Sequence, residues 1–190
     1  IPARPLLNSL LKKLTKQKAG WCGTLDPLAT GMLPICFGDA TKIISSIVSG
    51  KKQYTACAVL GITTDSGDSD GRVLNTQNII TPPTRSDMEQ LLKSFVGSVN
   101  QIPPMVSAIK HEGVPLYKLA RAGKTVQRAS RTCEIESIDL IDLTPNTFTI
   151  RVICGKGTYI RTLVEDIGQA IGCGAHVSAL HRNWVAPFAA

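Results

Sequence analysis

A single carboxylate, Asp26, lies in the segment with the clearest potential for chemistry. This segment runs from Gly20 to Gly38 and is rich in glycine and proline. Pro27 biases Asp26 towards an extended or turn conformation, and the glycines permit close backbone approaches that a side chain would forbid. An aspartate on a stiff loop can act as a nucleophile or as a base. Asp-Pro is also a common structural turn, so local chemistry alone leaves both interpretations open.

A second candidate segment has the sequence Gly-Lys-Gly-Thr-Tyr-Ile-Arg-Thr and starts at Gly155. Its first residues are similar to part of a phosphate-binding loop. The spacing G-x-x-x-x-G-K-[ST] is absent, however, so the segment does not predict a nucleotide site. It supplies an aromatic ring, Tyr159, and a cation, Arg161, just before a predicted helix.

Neither the acidic loop nor the cysteines predict a metal site. The loop from Gly61 to Arg72 is dense in carboxylates, but read as a calcium loop it has Ser66 at its first position and Gln77 at its twelfth. The cysteines show no C-x-x-C pair and no histidine at zinc spacing; they are Cys22, Cys36, Cys57, Cys133, Cys154 and Cys173. We predict no metal and no cofactor, and we interpret the cysteines as reduced, mostly buried thiols, with disulfides left open by their even number.

Hydrophobic spacing predicts the elements that position these residues. Strands are predicted at 51–60, 131–143 and 147–154, the last two as an antiparallel pair. Helices are predicted at 6–18 with a basic face, at 39–50, at 86–97, at 116–121 and at 160–171. If 51–60 is one strand, then Tyr54, Ala56, Ala58 and Leu60 share a face.

Two helix details are also predicted. Asp39 is expected to cap the helix at 39–50, with Ile43, Ile44, Ile47 and Val48 as its buried stripe. Ser86 and Glu89 are expected to form a capping box on the next helix.

Composition restricts the classes of protein further. The 190 residues suffice for one domain with its own core. Lys and Arg total 21 against 14 for Asp and Glu, a formal charge of +7, which favours a polyanionic partner such as nucleic acid. Five basic residues accumulate in a short stretch and are candidates for phosphate contacts: Lys110, Arg121, Lys124, Arg128 and Arg131. No apolar run predicts a membrane span and no segment predicts export, so we expect a cytoplasmic protein.

The motifs together resemble the TruB-type transfer-RNA pseudouridine synthases. The resemblance rests on Gly-Thr-Leu-Asp-Pro-Leu-Ala-Thr-Gly-Met-Leu-Pro-Ile-Cys-Phe-Gly around Asp26 and on Lys-Gly-Thr-Tyr-Ile-Arg at 156–161. It implies an α+β fold, with a mixed, mostly antiparallel sheet flanked by helices and a central RNA-binding cleft. It covers roughly residues 18–185. We expect residues 1–190 to be one catalytic domain, without the family's complete N-terminal segment and without its C-terminal PUA domain.

The resemblance also implies roles for individual residues. Asp26 is the catalytic residue, Arg161 its partner, and Tyr54 the ring that stacks on the target base. Tyr159 and Leu180 contact the base, and Asp65 and Asp68 lie near the cleft as candidates for orienting or binding roles. Trp21-Cys22 stands where the family carries His-Thr, so Trp21 is the candidate for the RNA contact made there.

The implied reaction is isomerisation of a T-loop uridine of transfer RNA to pseudouridine after base flipping. The implied partner is the T-arm stem-loop of transfer RNA, with no membrane and no obligate protein partner. Two alternatives remain: a non-catalytic RNA-binding module in which Trp21 blocks the pocket, and a related synthase that acts on another RNA, such as those guided by small RNAs.

Overall fold

The computed structural model describes residues 17–188. Its strands are β1 (Ala19–Trp21), β2 (Thr30–Gly31), β3 (Ile35–Phe37), β4 (Lys52–Leu60), β5 (Ile62–Thr64), β6 (Val73–Thr76), β7 (Gly97–Gln101), β8 (Lys110–His111), β9 (Val114–Pro115), β10 (Arg131–Leu143), β11 (Thr147–Cys154) and β12 (Ala175–Val185). Its helices are α1 (Ile44–Ser49), α2 (Arg85–Lys93), α3 (Leu116–Arg121) and α4 (Ile160–Ile171), and a 3₁₀ turn over Gly38–Ile43 precedes α1. The predicted helix at 6–18 lies, except for its last two residues, outside this range.

Within the described residues, the main sheet has six strands in the order β2-β12-β4-β11-β10-β7. Every pairing in it is antiparallel except that of β2 with β12, which is parallel. The predicted hairpin of β10 and β11 is confirmed, with its turn at 144–146. The predicted α+β class, with a mixed and mostly antiparallel sheet flanked by helices, is confirmed as well.

The core lies between one face of this sheet and α4. Ala56 and Ala58 on β4 are fully buried, and Leu60 is 3% exposed, as the alternation predicted. The apolar side of α4 covers this face with Ile160, Leu163, Val164 and Ile167. Burial of this apolar surface removes it from water and anchors both the sheet and the start of α4, where Arg161 lies.

The helix predicted at 39–50 is wrong in its first half. Residues 38–43 form the 3₁₀ turn, and Asp39 makes no cap but pairs with Lys42 at 2.7 Å. Ile43 is 54% exposed rather than buried, because a 3₁₀ turn has three residues per turn and shifts the side chain out of the α-helical stripe.

The capping box predicted on α2 is displaced by two residues. Thr84 is the N-cap, and its hydroxyl and the Asp87 carboxylate satisfy each other's backbone N–H groups. Glu89 instead pairs with Arg85 on the surface. The helix also ends at Lys93, which leaves Val96 43% exposed beyond it.

The six cysteines carry free thiols, and all but Cys57 are buried. The predicted burial is therefore confirmed for five of the six cysteines. No helix among residues 17–188 has the length and apolar character needed to cross a bilayer.

Candidate active site

Asp26 lies on the loop that joins β1 to β2. The carbonyl of Asp26 accepts a hydrogen bond from the N–H of Ala29 at 2.9 Å, which closes a turn with Pro27 at its second position. The Asp26 side chain remains 36% exposed. The turn therefore presents the carboxylate to solvent while the backbone below it is fixed.

Arg161, in the first turn of α4, meets this carboxylate with two parallel hydrogen bonds. Nε donates to Oδ2 of Asp26 at 2.9 Å, and Nη2 donates to Oδ1 at 3.1 Å. Such a two-point contact is the strong geometry for an arginine and a carboxylate. The structure thus brings together the two residues that the sequence predicted as catalytic partners, although 135 positions separate them.

The rest of the Arg161 guanidinium is held by protein oxygens. Nη1 donates to the carbonyl of Ser66 at 2.7 Å, and Nη2 donates to the carbonyl of Val106 at 2.9 Å. Only 2% of the Arg161 side chain is exposed. With these contacts the guanidinium has one orientation, and the position of Asp26 follows from it.

Asp68 is a second carboxylate beside the same cation. Its Oδ2 lies 3.6 Å from Nη1 of Arg161, and its Oδ1 accepts hydrogen bonds from the Ser66 hydroxyl at 2.5 Å and from the N–H of Asp70 at 3.1 Å. Asp68 is 3% exposed. Asp65, the other predicted carboxylate of this loop, pairs instead with exposed Arg72, and the ion pairs of Arg161 within residues 17–188 do not include it.

Tyr159 is positioned through its backbone by Gln101 of β7. The Gln101 amide accepts from the N–H of Tyr159 at 2.9 Å and donates to its carbonyl at 3.2 Å. Gln101 itself is 3% exposed. Burial raises the pKa of the Tyr159 phenol, so this side chain stays neutral at physiological pH.

Tyr54 and Leu180 lie on the sheet face that α4 covers. Tyr54 of β4 pairs with Arg182 of β12, and Ala56 pairs with Leu180. Burial raises the pKa of Tyr54, and the Arg182 guanidinium opposes this shift. Leu180 is 6% exposed and belongs to the main core cluster. Contact of either side chain with a base stays a prediction.

Trp21, at the end of β1, is partly buried, and its indole N–H donates to the Thr24 hydroxyl at 3.3 Å. Thr24, unlike Trp21, lines the cleft above Asp26. The predicted RNA contact of Trp21 therefore stays a prediction, with the ring near the base of the catalytic loop.

A cleft of about 830 Å³ opens above the carboxylate. Its walls include Asp26, Asp68, Tyr117, Arg121, Lys124 and Tyr159. Arg121 lies over the ring of Tyr117, with 5.6 Å between the guanidinium carbon and the ring centre. The volume of this cleft is within the range of small-molecule binding sites, and two of its lining residues, Arg121 and Lys124, are cations.

Sequence reasoning missed Glu165, one helical turn after Arg161. Burial raises the pKa of the Glu165 carboxyl from 4.5 to about 7, and the cation of Arg161 limits the shift. Glu165 and Asp166 line a second cavity of about 930 Å³. It shares five lining residues with the cleft: Asp65, Ser66, Arg72, Met105 and Thr125. The signal in the sequence was the four-residue spacing from Arg161, which places both side chains on one side of the helix.

Comparison with known proteins identifies the class to which this fold and site belong. The model of the TruB family pseudouridylate synthases (N terminal domain) matches residues 11–160, and that of the tRNA pseudouridylate synthase B C-terminal domain matches residues 161–190. The chain therefore belongs to the TruB family of pseudouridine synthases. The two matched segments meet at the start of α4, and the main sheet takes strands from both.

Curated relatives carry the particular name tRNA pseudouridine synthase B. The chain is 50% identical over 186 residues to that of Pseudomonas aeruginosa (strain UCBPP-PA14), covering 96% of this chain and 60% of the relative. It is 48% identical over 188 residues to that of Francisella tularensis subsp. tularensis (strain FSC 198), covering 99% and 62%. The chain thus spans about three fifths of the length of these relatives.

Solved structures agree with the fold. A crystal structure of a Cbf5-Nop10-Gar1 complex matches with a TM-score of 0.75 at 28% identity, covering all of this chain and 46% of that one. The structure of an H/ACA RNP bound to a substrate RNA containing 2'-deoxyuridine matches with a TM-score of 0.70 at 25% identity, covering all of this chain and 45% of that one.

Proposed function

We propose that this chain converts a uridine in the T-arm of transfer RNA to pseudouridine. The observation that carries the proposal is the two-point contact between Arg161 and Asp26 at the floor of the cleft, with Asp26 the more exposed partner. Family membership and the names of the curated relatives support transfer RNA as the substrate. We also propose that residues 1–190 form one catalytic domain.

The reaction breaks the bond between C1' of the ribose and N1 of the uracil and rejoins C1' to C5. The hydrogen on C5 leaves as a proton, and N1 gains one, so no external oxidant or group donor is required. An ionised carboxylate is needed as nucleophile or base. Arg161 supplies a fixed positive charge that orients the Asp26 carboxylate at the floor of the cleft.

The target base must leave the RNA stack to reach Asp26, at a cost of a few kcal/mol. We propose that Tyr54 stacks on the flipped ring and takes part in catalysis, and that Tyr159 and Leu180 complete the pocket. Trp21 and Asp68 complete the predicted substrate-binding set. In this proposal Asp68 acts through Arg161, which it contacts directly.

The phosphate contacts are assigned to the basic side of the cleft. Arg121 and Lys124 line the cleft, and Lys110 and Arg131 are exposed nearby in the sequence. Arg128 lines the adjoining cavity. Each neutralised phosphate releases counterions, so binding should weaken steeply as salt is added.

The test uses an unmodified T-arm stem-loop labelled with tritium at C5 of its uridines. Forming the new C–C bond expels this hydrogen, so tritium appears in water only when pseudouridine forms. We expect release with the 190-residue chain and none with Asp26→Asn, which should bind the RNA within a few-fold of wild type because no phosphate-contacting cation is changed. Binding without release by the wild-type chain would favour a non-catalytic module, and release by Asp26→Asn would refute the role of Asp26.

A further inference from the structure

A second arginine, Arg182 of β12, is buried beneath the catalytic loop without a carboxylate partner. It is 1% exposed, and no ion pair within residues 17–188 includes it. Burying a cation without a counter-ion costs free energy unless its N–H groups make hydrogen bonds. The acceptors of those hydrogen bonds therefore show which part of the fold Arg182 stabilises.

Those contacts reach both ends of the loop that carries Asp26. Nε of Arg182 donates to the carbonyl of Met32 at 2.8 Å, and Nη2 donates to the carbonyl of Gly23 at 3.0 Å. Gly23 lies three residues before Asp26, and Met32 follows β2. The planar guanidinium of Arg182 therefore bridges the two ends of the loop from Gly23 to Met32.

The backbone of Arg182 holds the same loop. Its carbonyl accepts from the N–H of Met32 at 2.8 Å, and Gly31 pairs with Arg182 in the parallel register of β2 and β12. The backbones approach so closely that a Cβ on Gly31 would overlap the Arg182 carbonyl. The side chain and the main chain of Arg182 therefore both make hydrogen bonds to the ten-residue loop from Gly23 to Met32.

We propose that Arg182 is a positioning residue for Asp26, which fixes both ends of the loop from Gly23 to Met32 and thereby holds the carboxylate against Arg161. A guanidinium suits this role because its donors have a fixed fork geometry. The donors of a lysine all lie on one nitrogen atom, so they do not reproduce the separate positions of Nε and Nη2. The catalytic part of this inference rests on the proposed function, whereas the structural part does not.

Lys52 provides a matched control. It is also buried, at 7% exposure, and its ammonium group donates to two backbone carbonyls, those of Val48 and Gly50, at 2.7 Å each. These carbonyls lie at the end of α1 and not in the catalytic loop. Lys52→Met therefore removes a buried cation without removing the support of Asp26.

The experiment compares wild type, Arg182→Met, Arg182→Lys and Lys52→Met by amide hydrogen exchange and by single-turnover pseudouridine formation at saturating RNA. For Arg182→Met we expect exchange in residues 22–32 to rise about tenfold or more while α4 is unchanged. The turnover rate should fall about 100-fold because the carboxylate is misplaced, with RNA affinity retained. Arg182→Lys should recover part of the rate, and Lys52→Met should match wild type in both measurements.

The outcomes separate the two proposals. The positioning role would be overturned if residues 22–32 of Arg182→Met exchanged their amide hydrogens at the wild-type rate. It would also be overturned if exchange became faster by the same factor in the loop and in α4. Faster loop exchange with normal turnover would overturn its catalytic part. If Arg182→Met does not fold, Arg182→Lys decides by the same criteria. If wild type forms no pseudouridine, the proposed function fails, and the exchange data alone still decide whether Arg182 fixes the loop.

Discussion

Arg161 and Asp26 share two hydrogen bonds but differ sharply in exposure, at 2% and 36% of their side chains. The cation is enclosed by protein oxygens, whereas the carboxylate remains open to the cleft. A substrate can therefore approach the anion without disturbing the group that orients it. The asymmetry also means that the two residues should respond differently to mutation.

Removing Arg161 should cost both activity and stability. In Arg161→Ala the buried carboxylate of Asp68 loses its cation, and breaking a buried pair in this way costs about 3–5 kcal/mol. Pseudouridine formation should become undetectable because Asp26 loses its orientation. Urea unfolding and tritium release measure the two effects. Arg85→Ala, which breaks an exposed pair with Glu89, should lower the free energy of unfolding by less than about 1 kcal/mol, and an equally small loss in Arg161→Ala would contradict the prediction.

The raised pKa of Glu165 should make stability depend on pH. The folded chain holds the Glu165 proton up to about pH 7, whereas the unfolded chain releases it near pH 4.5. Between these values the folded state binds more protons than the unfolded state, so the free energy of unfolding falls as pH rises. Above about pH 7 the stability lost by burying the ionised Glu165 carboxylate reaches its full value. Glu165→Gln should remove most of this slope and gain roughly 1–3 kcal/mol over wild type at pH 8, with little gain near pH 4.

Thermal unfolding at several pH values measures the effect of Glu165→Gln. Asp166 contributes to the same dependence of stability on pH, to a smaller extent, since burial also raises the pKa of its carboxyl. Glu134→Gln, at an exposed position on β10, is the control and should follow the wild-type profile. A Glu165→Gln profile parallel to that of wild type would show that this carboxyl is not the source.

Gly31→Ala should destabilise the chain more than its backbone angle alone requires. Gly31 has φ of +102°, and an added methyl group would also overlap the backbone of Arg182. Gly97→Ala is the matched control, because Gly97 has φ of +100° but nothing within 4 Å of its added Cβ. The control should lose about 1–3 kcal/mol from strain, and Gly31→Ala should lose more, together with pseudouridine formation. Equal losses in chemical denaturation would argue against the close packing.

Lys124→Ala should weaken RNA binding mainly at low salt. Lys124 lines the cleft, and loss of one phosphate contact reduces the slope of log affinity against log salt by about 1. Filter binding of the T-arm stem-loop over a salt series gives this slope. Lys93→Ala, exposed at the end of α2 and away from the cleft, should leave the slope unchanged. Identical slopes for Lys124→Ala and wild type would remove Lys124 from the phosphate contacts.

Local patterns in the sequence predicted the presence of helices and strands better than the residues at which they begin and end. Alternation identified the buried face of β4, and helical spacing identified α4, since each pattern records burial directly. Ile43 was misplaced because apolar spacing does not distinguish a 3₁₀ turn from an α-helix. The capping box on α2 was misplaced because Thr84 and Ser86 are both acceptable caps, and only the backbone decides between them.

The site was less accessible to such reasoning. The pairing of Asp26 with Arg161 came from family resemblance, since no periodicity links two positions so far apart. The role of Arg182 depends on the parallel pairing of β2 with β12, and the pKa of Glu165 depends on how α4 packs. Both are properties of tertiary structure, which a single sequence does not encode in a local pattern.

The separation of 135 positions between Asp26 and Arg161 has a consequence for biosynthesis. The carboxylate leaves the ribosome long before the guanidinium that orients it, and the strand that carries Arg182 emerges later still. A nascent or truncated chain that ends before α4 therefore has no assembled catalytic pair. Under the proposed function, activity on RNA therefore requires synthesis at least through α4 and β12, and products that end before α4 should form no pseudouridine.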